Sequence, residues 1–164
     1  MRALFIGRFQ PFHNGHFKVI QKISNEYDEI IIGIGSSQYS YTVDNPFTLD
    51  ERIEMIEQSL DDIGIKNYKI ISIPDIHNPP NWVNHILKIF SDFDVVISNS
   101  DLTNFLFSKK GIKIIKPPMY NKEIFSGKII RKKIKNNEEW EDLVPDKVLK
   151  IIKKINGDIR IKKL

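Results

Sequence analysis

Short apolar runs alternate along this chain with segments in which apolar residues recur every three or four positions. Continuous apolar runs of four to seven residues predict buried strands, and the three-to-four spacing predicts helices. The runs cover residues 3–7, 29–35, 68–73, 94–98 and 112–115. Because strands and helices alternate at this spacing, the pattern predicts a parallel sheet with both of its faces covered by helices.

The predicted helices are marked by apolar faces and capping residues. The first begins at Gly15, and the second follows Thr48 and Glu51, which have the spacing of a capping box. The second helix carries Ile53, Ile56 and Leu60 on one face. Residues 75–81 contain Asn78-Pro79-Pro80 and predict a loop. Further helices are expected over 82–90 and 102–107, from Ser126 onward, and over 146–155 as the last element.

The resulting fold class is α/β. We expect a single Rossmann-like, doubly wound domain over residues 1–164, with a mainly parallel sheet of five or six strands. Residues 1–120 would form the Rossmann-like core, and 121–164 a C-terminal part made of a motif and helices. In open sheets of this kind, ligands bind beyond the carboxyl ends of the strands, where the strand order reverses. The loops after residues 6, 34, 73, 97 and 115 are therefore the candidate site.

Composition narrows the chemistry. The 164 residues contain no cysteine, which excludes disulfides, thiolate metal sites and a catalytic thiol. No apolar run is long enough to span a bilayer and no signal-peptide pattern is present, so we expect a cytoplasmic protein without a membrane partner. The net charge of +4 is mild and favours anionic ligands without requiring nucleic acid.

The loop from Gly7 to His16 follows the first strand and leads into the first helix. His13 and His16 flank Gly15 there, so two imidazoles and the free N–H groups of a helix N-terminus would face one point. That combination suits a phosphate group. A zinc site is the weaker interpretation, because only His77 and His85 remain as histidine ligands and no third ligand is evident. We therefore expect no metal held by protein side chains.

The sequence Gly-Arg-Phe-Gln-Pro-Phe-His-x-Gly-His over residues 7–16 resembles the signature of the nucleotidyltransferase superfamily that carries a His/Thr-x-Gly-His motif. The resemblance implies that His13 and His16 act on the phosphates of a nucleotide. It also implies ATP contacts from the other motif residues, which are Gly7, Arg8, Phe9 and Gly15.

Residues 125–131 resemble the second motif of that superfamily, Ile-Ser-x-Thr-x-x-Arg. Ser126 would cap the helix that begins there, so that its free N–H groups face the triphosphate. Gly127 and Lys128 join Ser126 as expected ATP contacts, although Lys128 stands where the motif has threonine. Arg131 completes the motif and is expected to be catalytic, with a guanidinium that can hold the departing pyrophosphate.

The intervening blocks resemble the archaeal-type nicotinamide-nucleotide adenylyltransferases over essentially the whole chain. These blocks are residues 34–38, 45–48, 51–52, 74–76, 82, 117–120, 155–157 and 160–161. The resemblance implies adenylyl transfer from ATP to nicotinamide mononucleotide (NMN), giving NAD and pyrophosphate, with Mg²⁺ bound mainly through the ATP phosphates. It implies NMN contacts from Ser37, Gln38, Asp75, Asn78 and Trp82, and assembly into a homo-oligomer, commonly a hexamer.

Several alternatives remain open from the residues alone. Trp82 could stack on a pyridinium ring or could be a core residue. The acceptor could be another phosphate compound, such as flavin mononucleotide (FMN) or pantetheine phosphate, receiving an adenylyl or a cytidylyl group. A non-catalytic nucleotide sensor could use the same pocket. Nucleic-acid binding is disfavoured, because acidic residues over 138–142 interrupt the basic C-terminal region.

Overall fold

Five parallel strands form one sheet at the centre of the computed structural model, which describes residues 1–121 and 123–164. The strands are β1 (Arg2–Gly7), β2 (Glu29–Gly35), β3 (Tyr68–Ile73), β4 (Val95–Ile97) and β5 (Lys113–Ile115). Their order across the sheet is β3-β2-β1-β4-β5. The predicted parallel α/β arrangement is thereby confirmed, with five strands in the part of the chain that is described.

Seven helices surround the sheet in the described residues. They are α1 (Asn14–Ile23), α2 (Leu49–Asp62), α3 (Pro79–Ile89), α4 (Asp101–Ser108), α5 (Gly127–Lys135), α6 (Asp146–Lys154) and α7 (Gly157–Lys163), with a short 3₁₀ turn at Glu141–Leu143. None of the helices that the structure describes is long and apolar enough to cross a membrane.

Alternate residues of each strand face opposite sides of the sheet and enter two separate cores. On β1, Ala3 and Phe5 join the core formed with α1, α2, α5, α6 and α7. Leu4 points to the other face, where it packs with Val83 of α3 and Phe107 of α4. Burial on both faces is what makes these strands continuous apolar runs.

Two helix boundaries differ from the sequence prediction. We expected a loop up to residue 81, but α3 begins at Pro79, so both prolines lie in its first turn. Proline is tolerated there because its missing N–H would have no helical partner. The helix over 146–155 was also wrong as the last element, since Asn156 adopts a left-handed conformation and α7 follows it.

The strand order places a switch point between β1 and β4. Successive strands run outward from β1 through β2 to β3, and the chain then returns to the other side of β1 with β4 and β5. The loops after β1 and β4 therefore diverge at their carboxyl ends and leave a crevice there.

Candidate active site

Two cavities open at the carboxyl ends of the strands and meet above β1 and β4. One has a volume of about 550 Å³ and the other of about 330 Å³. Ile6, Ser98 and Ser100 line both of them. The crevice at the switch point therefore holds two adjoining compartments, which we call the larger and the smaller cavity.

The smaller cavity brings together both sequence motifs. His13, Gly15 and His16 of the first motif face Ser126 and Gly127 of the second. The chain before α5 adds Pro117, Pro118, Met119, Tyr120 and Phe125 to the wall, and the rest comes from α1 and from the ends of β1 and β4 with the loop after β4. Residues more than 100 positions apart thus form one compartment that contains the N-termini of α1 and α5.

His13 and His16 form a reciprocal cap at the start of α1. The Nδ1 atom of His13 accepts hydrogen bonds from the backbone N–H groups of Gly15, at 3.1 Å, and His16, at 3.4 Å. The Nδ1 atom of His16 accepts from the backbone N–H of His13 at 3.3 Å. Because both Nδ1 atoms accept, each neutral ring carries its proton on Nε2. No hydrogen-bond partner of either Nε2 is found in residues 1–121 and 123–164.

Burial keeps both imidazoles neutral. It lowers the pKa of His13 to about 4. Burial, reinforced by the neighbouring His13, also holds the pKa of His16 well below its ordinary value. Near pH 7 the pair therefore presents two neutral N–H donors at a helix N-terminus, an arrangement that suits phosphate oxygens.

Two glycines of the motifs allow close approaches within this compartment. A Cβ atom on Gly15 would lie 2.9 Å from the Cβ of Phe125 and 3.0 Å from the His13 ring. One on Gly127 would lie 2.9 Å from the carbonyl oxygen of Gln10. Larger residues at either position would push the two motifs apart.

The helix α5 starts without a side-chain cap. Ser126 has the extended backbone of an N-cap residue, but its hydroxyl makes no capping hydrogen bond, so the predicted cap is wrong in that respect. The first N–H groups of α5 therefore keep their capacity to bind an anion.

Arg131 is buried one turn into α5, where its Nη1 donates to the carbonyl oxygen of Gln10 at 2.7 Å. Its Nη2 lies 3.6 Å from the Asp44 carboxylate. Lys128 is exposed and lines a third cavity of about 280 Å³ together with Asp44, Arg131 and Lys132. The two predicted cations of the second motif thus share this third cavity, and neither of them lines the larger or the smaller one.

Residues of the first motif also reach the larger cavity. Gly7 and the exposed Arg8 line it. Phe9 lines neither of the two main cavities; it is buried, with its ring centroid 4.7 Å from that of His16 in an edge-on arrangement. The Phe9 side chain therefore packs against the His16 ring.

Three of the residues expected to contact the acceptor share the larger cavity. Asp75 and Asn78 precede α3 and Trp82 lies in its first turn, and all three line the wall. The Trp82 ring also packs edge-on against Phe107, with centroids 5.7 Å apart. Trp82 is half-buried, so it belongs to the edge of the core and to the cavity wall at once.

Ser37 and Gln38 do not line either of the two main cavities. The Gln38 side chain instead holds the loop that contains Asp75: its Nε2 donates to the Asp75 carbonyl at 2.8 Å, and its Oε1 accepts from the Asp75 N–H at 2.9 Å. Ser37 donates its backbone N–H to the carbonyl of Ile73 at 3.3 Å. Both residues therefore hold the loops beside the larger cavity.

Sequence reasoning missed other residues of the larger cavity. His77 lines it and bonds Tyr39 through Nε2 and the phenol oxygen at 2.5 Å. Ser98, Ser100 and Thr103 line it from the loop after β4 and from α4. The Pro-rich loop before α3 and the end of β4 could be recognised in the sequence as parts of the site. Which of their side chains reach the cavity depends on the paths of the loops, which the sequence does not show.

The predicted apolar face of α2 is confirmed, because Ile56 and Leu60 are buried and the partly buried Ile53 packs against the same core. Arg52 is an unpredicted addition to the buried residues of this helix, at 0% exposure. The burial of Arg52 could have been predicted from the sequence. It lies three and four residues before the apolar Met55 and Ile56 and therefore on the same face of the helix.

No group of three His, Asp or Glu side chains that could hold a metal ion is found in the described part of the chain. The donors of the two cavities are imidazoles, hydroxyls, backbone N–H groups and cations, which suit an anionic ligand. A divalent cation would therefore enter this site on the phosphates of its nucleotide.

Comparison with solved structures supports the fold. A bifunctional NMN adenylyltransferase/ADP-ribose pyrophosphatase from Francisella tularensis, crystallised with AMP and a manganese ion, matches with a TM-score of 0.78 at 22% identity. The match covers 99% of this chain and 52% of that one, so the chain spans about half the length of the bifunctional protein.

The sequence comparisons show the family of this chain. The cytidylyltransferase-like family model matches residues 4–133. A nicotinamide-nucleotide adenylyltransferase from Methanococcus aeolicus is 50% identical over 100% of this chain and 95% of its own length. One from Methanolobus tindarius is 47% identical over 98% of this chain and 92% of its own length. Together with the paired motifs around one cavity, these matches show that the chain belongs to the nicotinamide-nucleotide adenylyltransferases of the cytidylyltransferase-like family.

Proposed function

We propose that this chain transfers the adenylyl group of ATP to NMN, giving NAD and pyrophosphate. The observation that carries the proposal is the pair of adjoining cavities, which meet at Ile6, Ser98 and Ser100. A reaction that joins two nucleotides needs two compartments whose reacting ends touch. Here one compartment carries neutral imidazole donors and the other carries an indole beside polar loop residues.

The smaller cavity suits ATP. Its wall of Pro117, Met119 and Tyr120 offers apolar surface for an adenine ring. The Nε2–H groups of His13 and His16 would donate to the phosphate oxygens, with the free N–H groups at the start of α5 on the other side. The triphosphate would then lie between the two helix N-termini, where partial positive charges favour it.

The larger cavity suits NMN. Trp82 would stack on the cationic pyridinium ring, a contact worth roughly 0.5 to 2 kcal/mol. Asp75 and Asn78 lie before the same helix and would hold the ribose or the carboxamide. Gln38 and Ser37 contribute through the loop rather than through ligand contacts. The acceptor phosphate would point toward the shared edge of the two cavities, near Arg8.

The chemistry follows from this arrangement. An oxygen of the NMN phosphate attacks the α-phosphorus of ATP in line, and the bond from that phosphorus to the oxygen bridging the β-phosphate breaks. The electron pair leaves with pyrophosphate. A phosphate monoester dianion is already a nucleophile, so no general base is required. Catalysis rests on positioning and on stabilising negative charge in the transition state.

Each hydrogen-bond donor and cation has a role in this scheme. His16 would donate to the α-phosphate and His13 to the β-phosphate or the bridging oxygen. Arg131 and Lys128 share the third cavity beside the start of α5, where they would hold the departing pyrophosphate, with Arg8 approaching from the acceptor side. Mg²⁺ would be held by the ATP phosphates rather than by side chains of this protein, and it would supply positive charge that offsets part of the phosphate charge.

The proposal also includes the setting of the enzyme. ATP and NMN are the substrates and NAD the product, so we place the reaction in the cytoplasm, where ATP is supplied. Assembly into a homo-oligomer, commonly a hexamer in this family, remains a prediction that size-exclusion chromatography with light scattering would test.

A panel of acceptors tests the function. The protein is incubated with Mg²⁺, ATP and one of NMN, nicotinate mononucleotide, FMN or pantetheine phosphate, and both pyrophosphate and the dinucleotide product are quantified. We expect NAD and pyrophosphate in equal amounts with NMN. Faster turnover with FMN or pantetheine phosphate would assign another acceptor, and ATP binding without any product would assign a nucleotide sensor.

A further inference from the structure

Arg52 is a fully buried cation whose hydrogen bonds all go to backbone carbonyl groups. Its Nη1 donates to the carbonyl oxygens of Arg8 and Gly35, each at 3.0 Å. Its Nη2 lies 3.3 to 3.4 Å from the carbonyl oxygens of Ser36, Ser37 and Tyr39. Its Nε donates to the Thr48 carbonyl at 3.3 Å, one helical turn back.

Apart from Thr48, which caps α2, these carbonyl groups lie at two loops. Arg8 lies in the loop after β1, Gly35 ends β2, and the other three follow β2, so one side chain of α2 ties both loops together. Arg8, Gly35 and Ser36 line the larger cavity, and none of them lines the smaller one. The contacts of Arg52 are therefore concentrated beneath a single compartment of the site.

Burying a cation without a carboxylate partner is energetically unfavourable. No ion pair of Arg52 is found in residues 1–121 and 123–164, and its burial is complete at 0% exposure. Taking a guanidinium out of water costs several kcal/mol, and a packed apolar side chain is often at least as stable. The planar fork of arginine can reach several carbonyl oxygens at fixed angles, which neither lysine nor an apolar residue can do.

We propose that Arg52 is a positioning residue for the acceptor, fixing the loops after β1 and β2 so that Arg8, Gly35 and Ser36 form the floor of the acceptor cavity. The inference rests on the proposed function, in which the larger cavity holds NMN. It gives Arg52 no contact with either substrate. Its loss would misplace the acceptor and leave the ATP compartment in place.

The test measures how each substrate responds. In Arg52→Lys and Arg52→Met, we expect the KM for NMN to rise roughly tenfold or more, because ångström-scale misplacement carries losses of that order. The KM for ATP should rise much less than the KM for NMN, since Arg8, Gly35 and Ser36 line only the larger cavity and Arg8 alone among them approaches the pyrophosphate. Dissociation constants of NMN and ATP from calorimetry should show the same split.

Arg160→Met is the matched control. Arg160 donates to the Pro46 carbonyl at 3.0 Å and pairs with Glu51 at 2.7 Å, and it lines neither main cavity. Its loss should lower the melting temperature while leaving the ratio of the two KM values unchanged. A purely structural role for Arg52 would give the same pattern as this control, and that result would overturn the proposal.

Chemical rescue gives a second readout. In Arg52→Ala, guanidinium ion at millimolar concentration should refill the ring of carbonyl oxygens and lower the KM for NMN, whereas methylammonium should not. Absence of rescue, or equal changes in both KM values, would overturn the role. If Arg52→Ala and Arg52→Met do not fold, Arg52→Lys decides, and failure of all three to fold would also overturn it.

The two proposals can fail separately. A wild-type protein that uses FMN or pantetheine phosphate in place of NMN would overturn the proposed function. The changes in KM for that acceptor and for ATP would then be compared in the Arg52 variants, and the difference between them would still decide the role of Arg52. For a protein without turnover, the calorimetric dissociation constants decide it.

Discussion

His13 and His16 lie ring against ring, with centroids 3.6 Å apart and an interplanar angle of 20°. Each ring accepts a backbone N–H of the other residue through Nδ1, so both side chains are used to begin α1. The same bonds fix the tautomers and leave the two Nε2–H groups as donors. Capping thus uses one side of each ring, which leaves the opposite side for the phosphate binding that we propose.

The neutral state of this pair predicts acid sensitivity. In the unfolded chain His13 takes up a proton near the ordinary histidine pKa of 6.5, whereas in the folded protein its pKa is about 4. Between these values the unfolded state binds more protons, so the free energy of unfolding should fall as the pH decreases from 6.5 to about 4. The loss attributable to His13 is roughly 2 to 3 kcal/mol, measured by urea unfolding at each pH.

His13→Asn separates this effect from general acid denaturation. Asparagine is also a good N-cap residue, so the helix start keeps an acceptor but loses the titrating group. The variant should show a shallower decline over the same pH range, with the remainder coming from His16, whose pKa is also lowered. An unchanged slope would mean that His13 does not titrate abnormally in the folded protein.

Replacing Asp44 by asparagine should strengthen the binding of ATP. The exposed Asp44 carboxylate lies 3.6 Å from Arg131 and lines the same cavity as Lys128. In the proposed scheme it would therefore compete with the pyrophosphate end of ATP for these two cations. Asp44→Asn should lower the KM for ATP by about two- to fivefold at low salt, the scale of an exposed charge. The gain should shrink as ionic strength rises.

A control for the removal of one negative charge is Asp62→Asn. Asp62 pairs with Lys147 at 3.5 Å and lines none of the three cavities. Initial rates at varied ATP and salt should separate the two variants. Equal KM values for ATP in both would place the pyrophosphate away from Arg131.

The position of Trp82 in the larger cavity leads us to expect that NMN changes its fluorescence and that its replacement changes the KM for NMN. Replacing it by leucine removes the stacking surface, so the KM for NMN should rise about 2- to 30-fold, as the free energy of a cation–π contact implies. NMN should also quench the indole fluorescence of the wild-type protein. Trp140→Phe is the control, because Trp140 is buried at 4% exposure outside both main cavities and should preserve quenching and KM.

Local signals in the sequence account for most of the fold. The bounds of β2 and β3 match the apolar runs 29–35 and 68–73, and the capping box of Thr48 and Glu51 forms as its spacing predicts. The start of α3 was misplaced because proline was interpreted as a helix breaker, whereas it also fits the first helical turn. The carboxyl-end location of the site followed from the alternation of strands and helices.

The details of the site depended on contacts between distant residues. Gln38 lies in the block 34–38, which resembles the family and predicts a contact with NMN. Its amide instead bonds the main chain of Asp75, 37 positions later. Arg52 carries a charge that usually points to solvent, and its carbonyl partners become visible only when the loops after β1 and β2 are folded together. Such pairings have no local signature in one sequence.

The most direct test of the account is the kcat of His16→Ala for NAD formation, measured alongside the affinity for ATP. His85→Ala is the control, since His85 bonds only the Pro74 carbonyl, at 2.9 Å, among the described residues and lines neither main cavity. We expect a kcat lower by roughly 100-fold or more in His16→Ala, the scale for one preorganised transition-state donor, with ATP affinity changed far less. A kcat equal to that of the control would contradict the role of the histidine pair in phosphate chemistry.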